Sequence, residues 1–448
     1  MPPHNKLVKF CLGIFLGAEI LFLLNIGSPL KLNFDEFHYI PAAKQFLEHK
    51  EMRNWEHPPL GKLLITPGIA LFGDNPMGWR VMSTLFGSLT LVVMFLIGLS
   101  LFRRLDTALW VTLLTLCNHL LYVQARIAML DTFMFFFLAT AMLGFSIAWR
   151  TPIERKHLRY AFILMGVSLG LASACKWFGI ICWLAILGLF ILIKIYPRFK
   201  EYRARGKKHS NKTLNPYDLG IWIDLKMFSQ MPLREGLLWL VVAPISIYFL
   251  TFIPLFFLRT PLGELRSLWD LFLMQKEMWA GQLRVVNKHP YMSQWWDWPL
   301  MTRPIWYAFD REGQSSEFVR GVILLGNPLI MWSGLLAVAL CFWQWVKSRD
   351  RASFVILFFY ALFYGSWAVI PRKVSFYYYY YPAGMILSLA LAQAFEWGEK
   401  GPLFHLKWAR WMFLAASGIM FIYFFPILSG FKIPWTEYLR WMWFRSWI

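Results

Sequence analysis

The sequence predicts an all-α, polytopic membrane protein, and three observations carry that prediction. Of 448 residues, 58% are hydrophobic and only 16% charged, with 25 Trp and 41 Phe. Soluble domains run near 45–50% apolar and about 25% charged, so a water-facing fold would leave much of this apolar surface uncovered. Long apolar segments recur from end to end, each near the ~20 residues that cross a hydrocarbon core. The third observation is the placement of the charges between them.

Taken in order, about eleven spans are expected by length and hydropathy. They are Phe10–Asn25, Trp79–Phe102, Thr107–Tyr122, Thr132–Trp149, Tyr160–Ala174, Trp177–Ile195, Leu237–Leu258, Gly321–Val346, Phe354–Ile370, Tyr378–Phe395 and Trp411–Leu428. Lys6 and Lys9 precede the first apolar run as in a signal peptide, but no small-x-small cleavage site follows, so a retained span is expected. Leu60–Phe72 reads as a re-entrant or interfacial helix, and only Lys176 separates the fifth and sixth spans. Leu265–Leu283 carries apolar residues at helical spacing, which suits an amphipathic interfacial helix, and "QWWDWPL" (Gln294–Leu300) adds headgroup-level aromatics.

With Lys6 and Lys9 inside, every dense basic cluster falls on that side: Arg103-Arg104, Arg150–Arg159, Arg198–Lys212, Lys347–Arg351 and Lys400–Arg410. Basic loops of this kind set orientation and meet anionic lipid. The +20 net charge therefore calls for membrane lipid and not for nucleic acid. The five cysteines lie in or beside apolar stretches and match no zinc or redox motif.

The opposite side collects isolated charges at the mouths of spans, where they are functional candidates by default. Asp35 and Glu36 in "NFDEFHYIP" either start a helix, whose macrodipole favours acids, or serve chemistry. Adjacent residues on a helix point about 100° apart, so the two carboxylates are not a facing pair. "HPPLGK" (His57–Lys62) is either a structural turn or part of the site. His57 and His38 leave room for a divalent metal with nearby carboxylates, but their spacing matches no standard site. Arg126, Lys176, Arg372 and Lys373 either snorkel to headgroups or converge on a phosphate, with Asp131 placed to orient Arg126. An acid beside a cationic, membrane-level phosphate site suits displacement at a sugar's anomeric carbon. A base activates the acceptor hydroxyl, while cations neutralise the leaving phosphate. One displacement implies inversion.

These blocks resemble the protein O-mannosyltransferase family. "FDEFHY" (Phe34–Tyr39) is similar to its acidic first-loop motif, and "HPPLGK" is nearly its signature. "ARIAMLDTFMFFF" (Ala125–Phe137), "ACKWFGI" (Ala174–Ile180) and "HPYMSQWWDWPL" (His289–Leu300) resemble further blocks in the same order. The resemblance implies a GT-C glycosyltransferase, one transmembrane domain over 1–448 with extracytoplasmic loop helices. It implies a catalytic first external loop at 26–78, a basic cytoplasmic loop at 196–236 and a long external loop at 259–320. Asp35 would be the base, Glu36 would support the site or the acceptor, and Arg126, Lys176, Arg372 and Lys373 would hold the donor phosphate. His57, Lys62, Asp131, His289 and Tyr379 would support them.

Two features depart from the family pattern. The 259–320 loop is too short for the beta-trefoil domain of eukaryotic members, which points to a bacterial-type enzyme. Tyr379 also stands where the family's late block carries histidine. The implied reaction moves a sugar, by preference mannose, from a polyprenyl phosphate to Ser or Thr of exported proteins. It would take place on the outer face of a bacterial cytoplasmic membrane. A lipid or glycan acceptor, as in aminoarabinose transfer, is the alternative within the same fold. A transporter or flippase would instead need mid-span charges and broken helices in matched halves.

Overall fold

The computed structural model describes residues 3–149, 153–205, 228, 230–284, 289–312, 317–370, 372–400 and 407–448. Its helices are α1 (His4–Leu23), α2 (Glu36–Glu48), α3 (Leu60–Phe72), α4 (Pro76–Phe102), α5 (Leu105–Cys117), α6 (His119–Gln124), α7 (Leu130–Ala148), α8 (Arg155–Cys175) and α9 (Phe178–Arg205). After them come α10 (Leu233–Phe257), α11 (Leu268–Leu283), α12 (Pro328–Ser348), α13 (Arg351–Ala368), α14 (Tyr381–Lys400) and α15 (Lys407–Leu428). Among the described residues, eight of these are long and apolar enough to cross a membrane. The other three expected spans coincide with α1, the α5–α6 pair and α14. Most of the expected basic loop at 196–236 lies outside the described residues.

Local chemistry sets the helix ends. Asn75 accepts from the backbone of Met77 and Gly78, and Pro76 needs no partner for an N–H that it lacks. Asn327 and Pro328 repeat that arrangement at the start of α12. This corrects the expected span Gly321–Val346. Its first residues form β2 (Phe318–Leu324), which pairs antiparallel with β1 (Ile305–Glu312) and with β3 (Lys432–Pro434). An apolar, β-branched strand running into an apolar helix raises hydropathy without a break, so the boundary is invisible to a window average. The region after α10 therefore contributes two strands of a sheet as well as the expected helix α11.

The helices around α7 form the centre, with 83% of its apolar window buried. Close approach is built in: a Cβ added at Gly166 of α8 would lie 1.8 Å from the Trp239 carbonyl oxygen in α10. At the periphery, α11 begins with a reciprocal Ser267–Asp270 capping box and leaves Leu268, Trp269, Phe272 and Trp279 exposed. Such a row suits headgroup depth. The C-terminal tail is tied to the sheet, since Trp306 donates to the Trp447 carbonyl at 2.9 Å and Trp447 donates to that of Met301 at 2.7 Å.

Candidate active site

The loop that follows α1 turns sharply at Phe34, whose φ of +47° is in the left-handed region. A bulky residue adopts it only where its surroundings over-determine it. Phe34 meets those terms: its ring lies 5.3 Å from Tyr307, 5.6 Å from Phe376, 5.8 Å from His289 and 6.0 Å from Tyr378. His289 therefore belongs to the aromatic clamp behind the loop, and its Nδ1 accepts from the Tyr291 backbone.

The next two residues part company. Glu36 is wholly buried, and its Oε1 accepts from Arg80 Nε (2.8 Å) and the Ala128 N–H (3.0 Å). Its Oε2 accepts from a second Arg80 nitrogen and the Asn33 N–H, both at 2.9 Å. Arg80 donates further to the carbonyls of Ile26, Pro29 and Lys31. All five guanidinium donors are thus used. Glu36 fastens the loop to α4, with both oxygens filled by protein donors. Arg80 escaped the sequence reading because it sits in the first turn of an apolar span, 44 residues from its partner.

Asp35, at the N-terminal boundary of α2, makes no capping bond; Tyr39 donates to its Oδ2 at 3.1 Å. It remains partly exposed. Burial pushes its carboxyl above the usual carboxylate range, with Lys176 opposing that rise and Asp131 adding to it.

Lys176 occupies the break between α8 and α9 and donates to both Asp131 oxygens, at 2.7 and 3.0 Å. Its ammonium lies 4.9 Å from the Tyr378 ring and 5.4 Å from that of Tyr379. Arg372 lies 5.0 Å from Tyr379 and donates to the Val374 carbonyl, while Tyr379 stacks on Trp367 at 4.3 Å. His57, Asp131, Lys176, Arg372 and Tyr379 line one cavity of about 730 Å³. Trp177, Ile181, Trp183 and Phe249 continue it as an apolar groove. Burial, then the charges of Lys176, Lys62 and Arg372, hold His57 well below the ordinary histidine range and thus neutral at pH 7.

Other expected partners are placed elsewhere. Asp131 pairs with Lys176, not with Arg126. Arg126 is spent on the carbonyls of Leu24, Asn25 and Ser429 and on the Tyr122 hydroxyl, and it does not line the cavity. Lys62 donates to the carbonyls of Asn54 and His57 and so shapes the HPPLGK turn. Lys373 is exposed and outside the lining. Among the described residues, no three of His, Cys, Asp and Glu gather as a metal-ligand set.

The comparisons agree with this architecture. The pattern of the dolichyl-phosphate-mannose-protein mannosyltransferase family matches residues 14–258, and that of the C-terminal four TMM region of protein-O-mannosyltransferase matches 267–447. The polyprenol-phosphate-mannose–protein mannosyltransferase of Mycobacterium tuberculosis is 27% identical, across 97% of this chain and 90% of its own length. That of Corynebacterium glutamicum is also 27% identical, across 94% and 88%.

Among solved structures, the Saccharomyces cerevisiae protein O-mannosyltransferase Pmt1-Pmt2 complex bound to the sugar donor superposes with a TM-score of 0.77. It shares 15% identity and covers 99% of this chain and 93% of its own. ArnT from Cupriavidus metallidurans bound to undecaprenyl phosphate gives 0.57 at 13% identity, covering 96% and 77%. The fold is GT-C. By its sequence, this chain belongs to the dolichyl-phosphate-mannose-protein mannosyltransferase family.

Proposed function

We propose that Asp35 is the general base of this mannosyltransferase, and that Lys176 and Arg372 receive the phosphate of a polyprenyl-phosphate mannose donor. The acceptor is a Ser or Thr hydroxyl of an exported protein, as the names of the mycobacterial and corynebacterial relatives suggest for the protein substrate. The observation that carries the reading is the contrast within one dipeptide. Glu36 has both oxygens filled by protein donors, while Asp35 accepts from Tyr39, stays partly exposed and lies within reach of the Lys176 charge.

In the step, the acceptor oxygen attacks the anomeric carbon and its proton passes to Asp35. The bond from that carbon to the phosphate oxygen breaks, and polyprenyl phosphate leaves with its charge met by Lys176 and Arg372. The sugar inverts. The tryptophan-lined groove beyond Lys176 is apolar, as an isoprenoid chain requires. Arg126 serves as a positioning residue, joining the end of α1 to the residues that follow α15.

Purified enzyme given polyprenyl-phosphate mannose and a Ser/Thr acceptor peptide tests the base. Asp35→Asn should lower transfer by about 10²–10⁴-fold, the usual range for general-base loss. Full transfer by the variant overturns the assignment, and labelled lipid with unlabelled peptide overturns the acceptor.

The charge asymmetry supports a site on the extracytoplasmic face of a bacterial cytoplasmic membrane. A cysteine placed at exposed Lys373 should then react with a membrane-impermeant maleimide added outside intact cells. Labelling only after lysis would reverse the orientation.

A further inference from the structure

Beside Asp35 lies a polar pair that the proposed step leaves unused. Tyr307 is the extra residue of a β-bulge: Trp306 pairs with Ile323 and Ala308 with Val322, leaving Tyr307 without a partner across the strands. Bulges re-aim a side chain, and here the ring turns onto Phe34, the residue before Asp35. Its hydroxyl donates to Gln124 Oε1 at 3.4 Å. Burial, and after it the charges of Asp131 and Asp35, hold the Tyr307 phenol well above its ordinary range, so it stays a protonated donor.

Gln124 ends α6 and is completely buried. Thr132 pins its backbone by donating to its carbonyl at 2.6 Å. Its Nε2 has no partner among the described residues. With the amide's oxygen and nitrogen exchanged, the nitrogen would donate to the Tyr307 hydroxyl and the carbonyl oxygen would be the unpaired group, so one amide atom lacks a partner either way. A buried amide atom without a partner is costly, so the pair has a hydrogen bond left for a ligand atom, although neither side chain lines the cavity around Lys176. The phosphate has its cations elsewhere. An amide that both donates and accepts, next to a phenol, matches a polyol whose hydroxyls do the same.

We propose that Gln124 and Tyr307 form the subsite that reads the hydroxyls of the donor's sugar, and so set which sugar is transferred. This rests on the reading of Asp35 and Lys176 as the reacting end of the site. The test measures kcat/KM with polyprenyl-phosphate mannose and with its glucose epimer, and inhibition by sugar-free polyprenyl phosphate.

Gln124→Leu should lose about 30-fold or more with the mannose donor, as sites left with unpaired polar groups do. Inhibition by the sugar-free lipid should move by less than about threefold, because that ligand makes no sugar contact. Equal loss in both measurements, or no loss, overturns the proposal. Tyr307→Phe removes one hydroxyl with little change of shape and serves if Gln124→Leu does not fold. A mannose-to-glucose ratio unchanged from the parent enzyme then overturns it. Failure of the underlying reading has a different signature, namely full activity of Asp35→Asn with the mannose donor.

Discussion

Two buried ion pairs lie close to the same loop, and they differ in what surrounds them. Around Glu36–Arg80 every donor and acceptor meets protein, and the two side chains are 0% and 1% exposed. Around Asp131–Lys176 the pair opens on a cavity, with tyrosine faces beside the ammonium. A saturated pair can only hold structure. A pair with an open side can exchange a protein contact for a substrate charge. The same rule separates Arg126, consumed by carbonyls, from Arg372, which faces the cavity.

The largest expected effect breaks the closed pair. Arg80→Met leaves Glu36 buried without its cation, a change that costs about 3–5 kcal/mol in comparable sites. The thermal unfolding midpoint in detergent should fall steeply, and adding Glu36→Gln should restore part of it. An unchanged midpoint would mean that the pair carries no structural load. By contrast, Lys176→Met should lower kcat/KM by about 10²-fold, the scale of losing one donor to developing charge. Its effect on the midpoint should be the smaller of the two, because the cavity lets water reach Asp131. Retained activity with lost stability would merge the two pairs into one class.

Lys176→Met also moves the pH profile. The Asp35 carboxyl already lies above its ordinary range, and Lys176 is the main group holding it down. If Asp35 is the base, as proposed, it must be deprotonated to act, and activity is lost as pH falls through this pKa. Without the ammonium that pKa rises, and the acid limb of kcat/KM should shift to higher pH. A shift to lower pH would overturn the assignment of Lys176 as the group that holds the Asp35 carboxyl down.

How much of this was legible in sequence follows the range of each interaction. Spans were legible because twenty apolar residues in a row are a local signal. Asp35, Lys176 and Arg372 were legible as candidates because a charge at a span mouth stands out against its neighbours. The roles of Glu36 and Asp131 were not, because each is decided by a partner more than forty residues away. Tyr307 was hidden further still. Its orientation depends on a one-residue bulge, inside a strand pair whose second member reads as the start of a helix.

The smallest effect tests the open side at the resolution of a single hydrogen bond. Tyr39 donates to Asp35 Oδ2 at 3.1 Å, favouring the charged carboxylate, but it ranks behind Lys176 among the groups that lower the Asp35 pKa. Tyr39→Phe keeps the ring, which packs edge-on near His57 at 6.0 Å. The acid limb should therefore move up in pH, as for Lys176→Met but by less, with activity well above the limb within about threefold of the parent enzyme. In the double variant the shifts should come close to adding if the hydroxyl and the ammonium act separately on the carboxylate. An acid limb left in place by both variants would mean that the titrating group is not Asp35, and the division between the closed and open acids would lose its functional half.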